Sequence, residues 1–212
     1  MKRNILLLGV AALIGFGGCA STSMTSFTDP SYRSTSFSRL LVIANLSDLQ
    51  WRQRLERRLV QEFRENGIFA MEGMNLFPPT RDLTDQEKID LLIQNQIDSY
   101  IVVGVGEIGT QQVYIPQTGS STKTEGSVSV YGNIATYREK SKTTAYGGYT
   151  VSKPWAQFDA KLFDVSNGKN AWVASAFTGG NAYANFNTVL NSFCGKTVEQ
   201  LIKDGVVKKG VR

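Results

Sequence analysis

One cysteine near the start of this 212-residue chain has the neighbours needed for covalent lipid attachment. Two glycines come directly before Cys19, after an uncharged apolar run over residues 5–16 that follows a basic start. A cationic start, an apolar core and small residues, in that order, are the parts of an export signal. Small residues leave the thiol accessible to acyl transfer and the preceding bond accessible to a peptidase. We therefore predict removal of residues 1–18 and diacylglycerol attachment at Cys19.

The residues around this cysteine refine the prediction. Phe16 stands where lipoprotein signals usually carry Leu, and Ala20 follows the cysteine, where Asp would favour inner-membrane retention. The apolar run is about a dozen residues, shorter than the roughly 20 needed to span a bilayer. The sequence thus favours a protein lipid-anchored to a bacterial outer membrane and facing the periplasm. An ordinary secretory signal and a buried first helix are the alternatives.

Histidine is absent from the whole chain. This removes the commonest general base and zinc ligand, as well as the Ser-His and Cys-His nucleophile pairs. Acylation of Cys19 would leave Cys194 as the only other cysteine, so we expect no intramolecular disulfide and a buried structural thiol. We predict no enzymatic activity, no cofactor and no metal site.

The positive charge is partly a targeting feature. Loss of Lys2 and Arg3 with the signal lowers the formal net charge of +5 by two, to +3. This balance gives no reason to expect a nucleic-acid partner. Residues 104–109 formally match the GxGxxG dinucleotide fingerprint, but the sequence after them favours an extended chain. Because that fingerprint needs a helix to begin there, we do not expect nucleotide binding.

A catalytic role would need paired acidic residues, and the chain offers Asp98, Glu107, Asp159 and Asp164 among others. They form no recognisable acid–base pair in the sequence. Asp164 stands just before an Asn-Gly turn, where we expect it to accept turn hydrogen bonds.

The most suggestive binding region is residues 110–152, which is rich in Ser, Thr, Gly and Tyr. Its candidate binding residues are Tyr114, Tyr131, Tyr137, Arg138, Tyr146 and Tyr149. Tyrosine and basic side chains suit recognition of a protein or glycan surface. A variable, partly disordered loop explains the composition equally well. A membrane-crossing hairpin is a third interpretation, although only residues 128–136 approach the required alternation.

The elements that position these residues can be predicted in order. An apolar strand over residues 40–44 precedes a helix that Ser47 or Asp48 caps and Gly67 ends. Strands follow at residues 68–71 and 99–103, separated by a helix with a capping box at Thr84. A hairpin then joins residues 155–164 to 171–177, and a last helix covers about 185–204. The outward face of the first helix carries several arginines and glutamates, which either form a solvated face or bind an anionic headgroup or glycan. Its charged residues are Arg52, Arg54, Glu56, Arg57, Arg58, Glu62 and Glu65.

These elements predict an α+β fold, a mixed β-sheet packed by about three helices, with βαβαβ followed by a β-hairpin and a C-terminal helix. We expect a flexible tether at 19–38 and one domain at 39–207, with a polar, β-rich insertion at about 110–152.

The chain also resembles known proteins in pattern. The stretch from Phe37 to Val103 and the hairpin from Trp155 to Trp172 resemble an uncharacterised family of bacterial periplasmic lipoproteins. The element order is similar to a domain shared by the amino-terminal part of the Tol translocation protein, penicillin-binding-protein activator lipoproteins and the curli secretion channel lipoprotein. The resemblance implies a non-enzymatic role in binding partners or in assembly.

Three functions follow as hypotheses. The first is a membrane-anchored periplasmic lipoprotein that binds or scaffolds an envelope protein or glycan. The second is a subunit of an oligomeric outer-membrane secretion channel that contributes a β-hairpin. The third, least favoured by the absence of histidine, is an enzyme of unrecognised class.

Overall fold

The computed structural model describes residues 18–116, 120–131, 134–145 and 147–209. The chain divides into two compact units. Unit 1 comprises Met1–Gly109 with Pro154–Arg212, and unit 2 comprises Thr110–Lys153. Two long strands contribute residues to both units, and each unit is described by itself below.

A six-stranded mixed sheet forms the frame of the fold, in the order β1-β8-β7-β4-β2-β3. The strands of this sheet are β1 (Ala20–Thr28), β2 (Arg39–Asn45), β3 (Phe69–Glu72), β4 (Ser99–Ile115), β7 (Tyr149–Asp164) and β8 (Asn170–Gly180). β2 pairs in parallel with both β3 and β4. β8 pairs antiparallel with β1 and β7. The α+β class and mixed sheet predicted from the sequence are therefore confirmed.

Two long helices cover one face of this sheet in unit 1. They are α1 (Leu49–Glu65) and α4 (Phe186–Lys203). α1 buries Leu55, Leu59 and Phe63 against the strands, and Phe193 of α4 stacks on Phe158 of β7 with ring centroids 4.0 Å apart. These residues belong to the larger of two apolar cores.

A smaller core lies around the parallel strands. Leu41 of β2 packs there with Leu76 of the short helix α2 (Gly73–Leu76) and Leu92 of α3 (Asp85–Gln94). Because β2 is buried on both faces, its sequence is continuously apolar rather than alternating. Thr84 and Glu87 form the expected capping box at the start of α3.

The predicted bounds of α1 and α4 agree closely with the structure, whereas two strands are longer than predicted: β4 continues beyond residue 103 to Ile115, and β7 begins at Tyr149 rather than at residue 155. Asp48 caps α1 by accepting from the Trp51 amide, so it fills the position that the sequence left open between Ser47 and Asp48. Gly67 and Gly168 both adopt the positive φ that the helix end and the hairpin turn require.

The predicted flexible tether over residues 19–38 is wrong for most of its length. Residues 20–28 form β1, which pairs with β8 from Ala20↔Gly180 to Thr28↔Trp172, and Pro30–Tyr32 form a short 3₁₀ helix. Small polar residues suggested a linker, yet every second side chain is half-buried. Ala20 and Met24 lie on this inner face together with Thr and Ser residues. This period-2 pattern fits an edge strand that is half buried.

Glu56 is a second correction. Its charge led us to expect it on the outward face of α1, although it lies four residues before Val60 and seven before Phe63 on the buried stripe, and its side chain is fully buried. Its carboxylate accepts from the Ala44 amide at 3.1 Å, the Met74 amide at 2.8 Å and Arg52 Nε at 3.2 Å. The carboxylate thus ties α1 to the end of β2 and to α2.

Unit 2 has an ordered strand pair of its own. β5 (Ser120–Tyr131) and β6 (Ile134–Ala145) are antiparallel, and their register runs without a break from Ser120↔Ala145 to Tyr131↔Ile134. The segment predicted as extended, polar β structure therefore contains two strands of twelve residues each.

Candidate functional site

The predicted lipid-bearing residue, Cys19, is exposed at the edge of the sheet. Its carbonyl accepts a hydrogen bond of 2.8 Å from the Asn181 amide, and the next residue, Ala20, already pairs with Gly180 of β8. No tether separates this cysteine from the sheet. A lipid on Cys19 would therefore hold unit 1 close to the membrane surface.

Side-chain hydrogen bonds fix β1 to helix α4. Thr22 and Ser192 share a hydrogen bond of 2.8 Å between their hydroxyl groups. The Ser26 hydroxyl donates to Asp204 Oδ2 at 2.6 Å and accepts from Gln200 Nε2 at 3.0 Å. The small polar residues that suggested a linker are thus the ones that hold the strand in place.

Two of the predicted binding tyrosines are exposed in unit 2. Tyr114 on β4 and Tyr149 on β7 are 62% and 59% exposed. Gly148 was not singled out in the sequence, although a Cβ there would lie 2.3 Å from the Tyr114 hydroxyl oxygen. The available signal in the sequence was a glycine directly before Tyr149, where β7 begins. On the same two strands, Gln112 Nε2 donates to Ser152 Oγ at 2.7 Å.

The remaining predicted binding residues are placed only in part. In the backbone register Tyr137 pairs with Val128, Arg138 with Ser127, and Tyr131 with Ile134. The side chains of these three candidates and all of Tyr146 lie outside the described residues.

An apolar cavity of about 370 Å³ lies in unit 1, and no sequence motif predicted it. It opens beside the first turns of α1 and α4. Ten of its twelve lining residues are apolar, and the two polar ones, Ser47 and Asp48, precede α1. The apolar lining residues are Leu46, Trp51, Leu55, Val105, Ile108, Ala156, Phe158, Phe186, Val189 and Leu190. The sequence placed four of them, Leu55, Phe186, Val189 and Leu190, on the apolar faces of the two helices, because a cavity and a filled core have the same apolar pattern.

A basic groove adjoins this cavity on the outer side of α1 and α4. Arg54, Arg57 and Arg58 line it, and Leu190 borders both the groove and the cavity. The Arg54 guanidinium lies 5.2 Å from the centroid of the Trp51 ring, which lines the cavity. An apolar space and a row of arginines therefore meet at the Trp51–Arg54 pair.

The arginines of α1 differ in their partners. Arg58 pairs with Glu62, and Arg57 Nε lies 4.0 Å from Glu72 Oε1. Arg54 is exposed and donates to the neutral Asn187 at 3.1 Å, with no ion pair to any carboxylate of the described residues. The predicted solvated face with local ion pairs thus describes Arg57 and Arg58 better than Arg54.

The acidic candidates have structural roles where the structure shows their partners. Burial alone would raise the pKa of Asp164, but hydrogen bonds from Ser166, Tyr32 and Asn167 outweigh that effect and lower it. The Ser166 amide donates to Asp164 at 2.8 Å, which confirms the predicted turn hydrogen bond. Asp98 accepts from the amides of Ser38 and Arg39.

The thiol of Cys194 is buried, as predicted. Burial raises its pKa far above the usual range, so the thiolate form is strongly disfavoured. Within the described ranges, no three or more His, Cys, Asp or Glu residues are grouped so that they could hold a metal ion.

The glycine-rich segment over residues 104–109 lies within β4, which continues as a strand to Ile115. A Cβ on Gly109 would lie 2.9 Å from Cζ2 of Trp155, so this glycine makes room for the indole ring. Because no helix begins here, the geometry for binding a pyrophosphate is missing.

No helix in the part of the chain that the structure describes is both long and apolar enough to cross a membrane.

No protein-family model matches this chain, and no curated protein matches it in sequence. Among solved structures, it is similar to the PelC dodecamer from Paraburkholderia phytofirmans, with a TM-score of 0.49 and 13% identity over 88% of this chain and 99% of that chain. It is also similar to lipoprotein GNA1162 from Neisseria meningitidis, with a TM-score of 0.42 and 14% identity over 78% of this chain and 99% of that chain. A PDZ domain protein from Parabacteroides distasonis gives 0.31 and 9%, over 92% of this chain and 38% of that chain. Likenesses this weak carry no function to the chain.

Proposed function

We propose that the mature protein is a lipoprotein, anchored to the outer membrane through lipid on Cys19, with a non-enzymatic role in binding an envelope protein or glycan. The observation that carries the anchoring is the place of Cys19, which is exposed and directly followed by a paired strand. An acyl chain on such a residue can enter a membrane while the fold stays intact.

The proposed binding surface is in unit 2. Tyr114 and Tyr149 expose most of their rings there, and exposed tyrosines supply large contact areas at low entropic cost. The uninterrupted register of β5 and β6 supports an ordered surface rather than the disordered loop that the composition equally allowed.

Site-specific photocrosslinking in intact cells tests the binding role. A photoreactive amino acid replaces Tyr114 or Tyr149 in the full-length protein, and Lys88 of α3 in unit 1, whose side chain is 44% exposed, serves as the control position. We expect adducts of the same defined mass from both tyrosine positions and none from position 88. Absence of adducts, or the same adduct from all three positions, would contradict the proposed surface.

A subunit of an oligomeric secretion channel is the second candidate. The observation in its favour is that β5 and β6 are twelve residues long, at least as long as the roughly 9–11 that a membrane-crossing strand needs. Against it, the two strands contain six charged residues, namely Lys123, Glu125, Arg138, Glu139, Lys140 and Lys142. Light scattering of the purified lipoprotein in detergent distinguishes the two, because a ring of many copies supports the channel and a monomer contradicts it.

A further inference from the structure

The residues that line the apolar cavity lie at the same end of the strands as Cys19. β1 begins at this end with Ala20 opposite Gly180, the last residue of β8, and β7 runs antiparallel to β8. β2 stops at this end at Asn45, opposite Gly104 of the parallel strand β4. α1 and α4 both start just after strands that stop there. The cavity and the proposed membrane anchor thus share one end of the sheet.

The walls of the cavity suit an alkyl chain. Its volume of about 370 Å³ lies within the roughly 300–1,000 Å³ of small-molecule sites. Ile108, 61% exposed, contributes an apolar side chain that solvent reaches. The acid on the wall, Asp48, accepts from the Trp51 amide at the start of α1, so a backbone donor already engages its carboxylate.

The adjoining groove supplies the opposite chemistry. Eight described residues line it, of which three are arginines and none is acidic. Arg54 has no carboxylate partner among the described residues, and it stacks on Trp51, where groove and cavity meet. A guanidinium group binds phosphate well because its N–H donors match pairs of phosphate oxygens.

We propose that this composite site binds one anionic phospholipid, with an acyl chain in the cavity and the phosphate against Arg54 and Arg57. Charge complementarity selects this occupant over the protein's own lipid, since the thioether-linked diacylglycerol on Cys19 has no phosphate for the arginines. For its supply of lipid the site rests on the proposed membrane anchoring.

Calorimetric titration of the mature chain carrying Cys19→Ser tests the site without any need for acylation. The probes are dihexanoylphosphatidylglycerol and dihexanoylphosphatidylcholine, both below their micelle concentrations, and glycerol phosphate. We expect the anionic lipid to bind about tenfold more tightly than the zwitterionic one, because both offer a phosphate to the arginines but the choline cation of phosphatidylcholine is repelled by them. Glycerol phosphate, which has no acyl chain, should bind far more weakly than either.

Two variants, both at exposed positions, test the arginine groove and the apolar cavity in turn. Arg54→Gln with Arg57→Gln should weaken binding of both lipids, because each carries a phosphate. It should also remove the preference for the anionic lipid, because that preference depends on repulsion between the arginines and choline. Ile108→Glu should weaken both lipids, because it places a carboxylate on the apolar wall. Arg81→Gln, an exposed arginine outside the groove, is the matched control and should change nothing.

The proposal would be overturned by equal affinity for the two lipids or by no binding. It would also be overturned if Arg81→Gln had an effect as large as that of the double change. Native mass spectrometry of the acylated protein, released from detergent containing phosphatidylglycerol, provides a second check. One bound phosphatidylglycerol supports the proposal. If the acylated protein binds no phosphatidylglycerol while the Cys19→Ser protein binds one molecule, the protein's own acyl chain fills the cavity and the proposed occupant is wrong. Lipid binding by a protein found not to be acylated would refute the proposed function alone.

Discussion

The two units differ in the interactions that the structure describes for them. Unit 1 buries large side chains, such as Trp172, Phe63 and Phe193, between its sheet and helices. In unit 2 the described interactions are mostly backbone pairs, over twelve positions of β5 and β6, in a sequence dominated by small polar residues. From this difference we expect changes in unit 1 to lower stability and changes in unit 2 to affect the proposed binding surface.

The largest expected effect of a single change lies in the core of unit 1. Phe193→Ala leaves a cavity beside Phe158 and should lower the free energy of unfolding by about 3–5 kcal/mol, as measured by urea denaturation. A loss below about 1 kcal/mol would mean that the two stacked rings are not part of a close-packed core.

Removal of the buried carboxylate should have the next largest effect. Glu56→Ala leaves the buried amides of Ala44 and Met74 without their acceptor, which should cost about 3 kcal/mol in the same assay. Glu56→Gln keeps one acceptor and should cost less. Glu199→Ala, at an exposed ion pair on α4, is the control and should cost under about 1 kcal/mol. Equal losses for Glu56→Ala and Glu199→Ala would refute the structural role of Glu56.

Asp164 should make stability depend on acid pH. Because its folded-state pKa is lowered, it stabilises the fold above its unfolded pKa of about 3.9, and this contribution is lost as pH falls through the folded value. Asp164→Asn should flatten the fall in thermal stability below about pH 4. Identical slopes for the native protein and Asp164→Asn would contradict this assignment.

The smallest stability effect should come from unit 2. Tyr149→Ala removes a mostly exposed ring and should change the free energy of unfolding of unit 1 by less than about 0.5 kcal/mol. It should nevertheless reduce the crosslinked adduct formed from position 114. A large loss of stability with an unchanged adduct would contradict the expectation that Tyr149 serves binding rather than folding.

Sequence reasoning identified most elements of unit 1, although not β1 or the short helix α2, because their signals are local. Asp48, Gly67, Thr84 and Gly168 each mark a helix or turn boundary through the backbone geometry they favour or the hydrogen bonds they accept. The βαβαβ order and terminal helix followed from these boundaries and from apolar periodicity.

The errors arose where a residue is held by a partner in another element. β1 is ordered by β8, about 150 residues away, so its small polar residues looked like a tether. Glu56 was assigned to the surface by its charge, but it is held inside by amides from β2 and α2. The cavity was missed because periodicity shows that Trp51 and Phe158 face inward, not whether the space between them is filled.

We infer that lipid on Cys19 holds the chain to the membrane, directly at the edge of the sheet. Intact-mass spectrometry of the protein extracted from membranes, beside a Cys19→Ser variant, measures this attachment. We expect a native chain that begins at residue 19 and carries acyl mass on that residue, and a variant that loses this mass and leaves the membrane fraction. A native chain without acyl mass, or a variant that stays in the membrane fraction, would show that the chain is not anchored in this way.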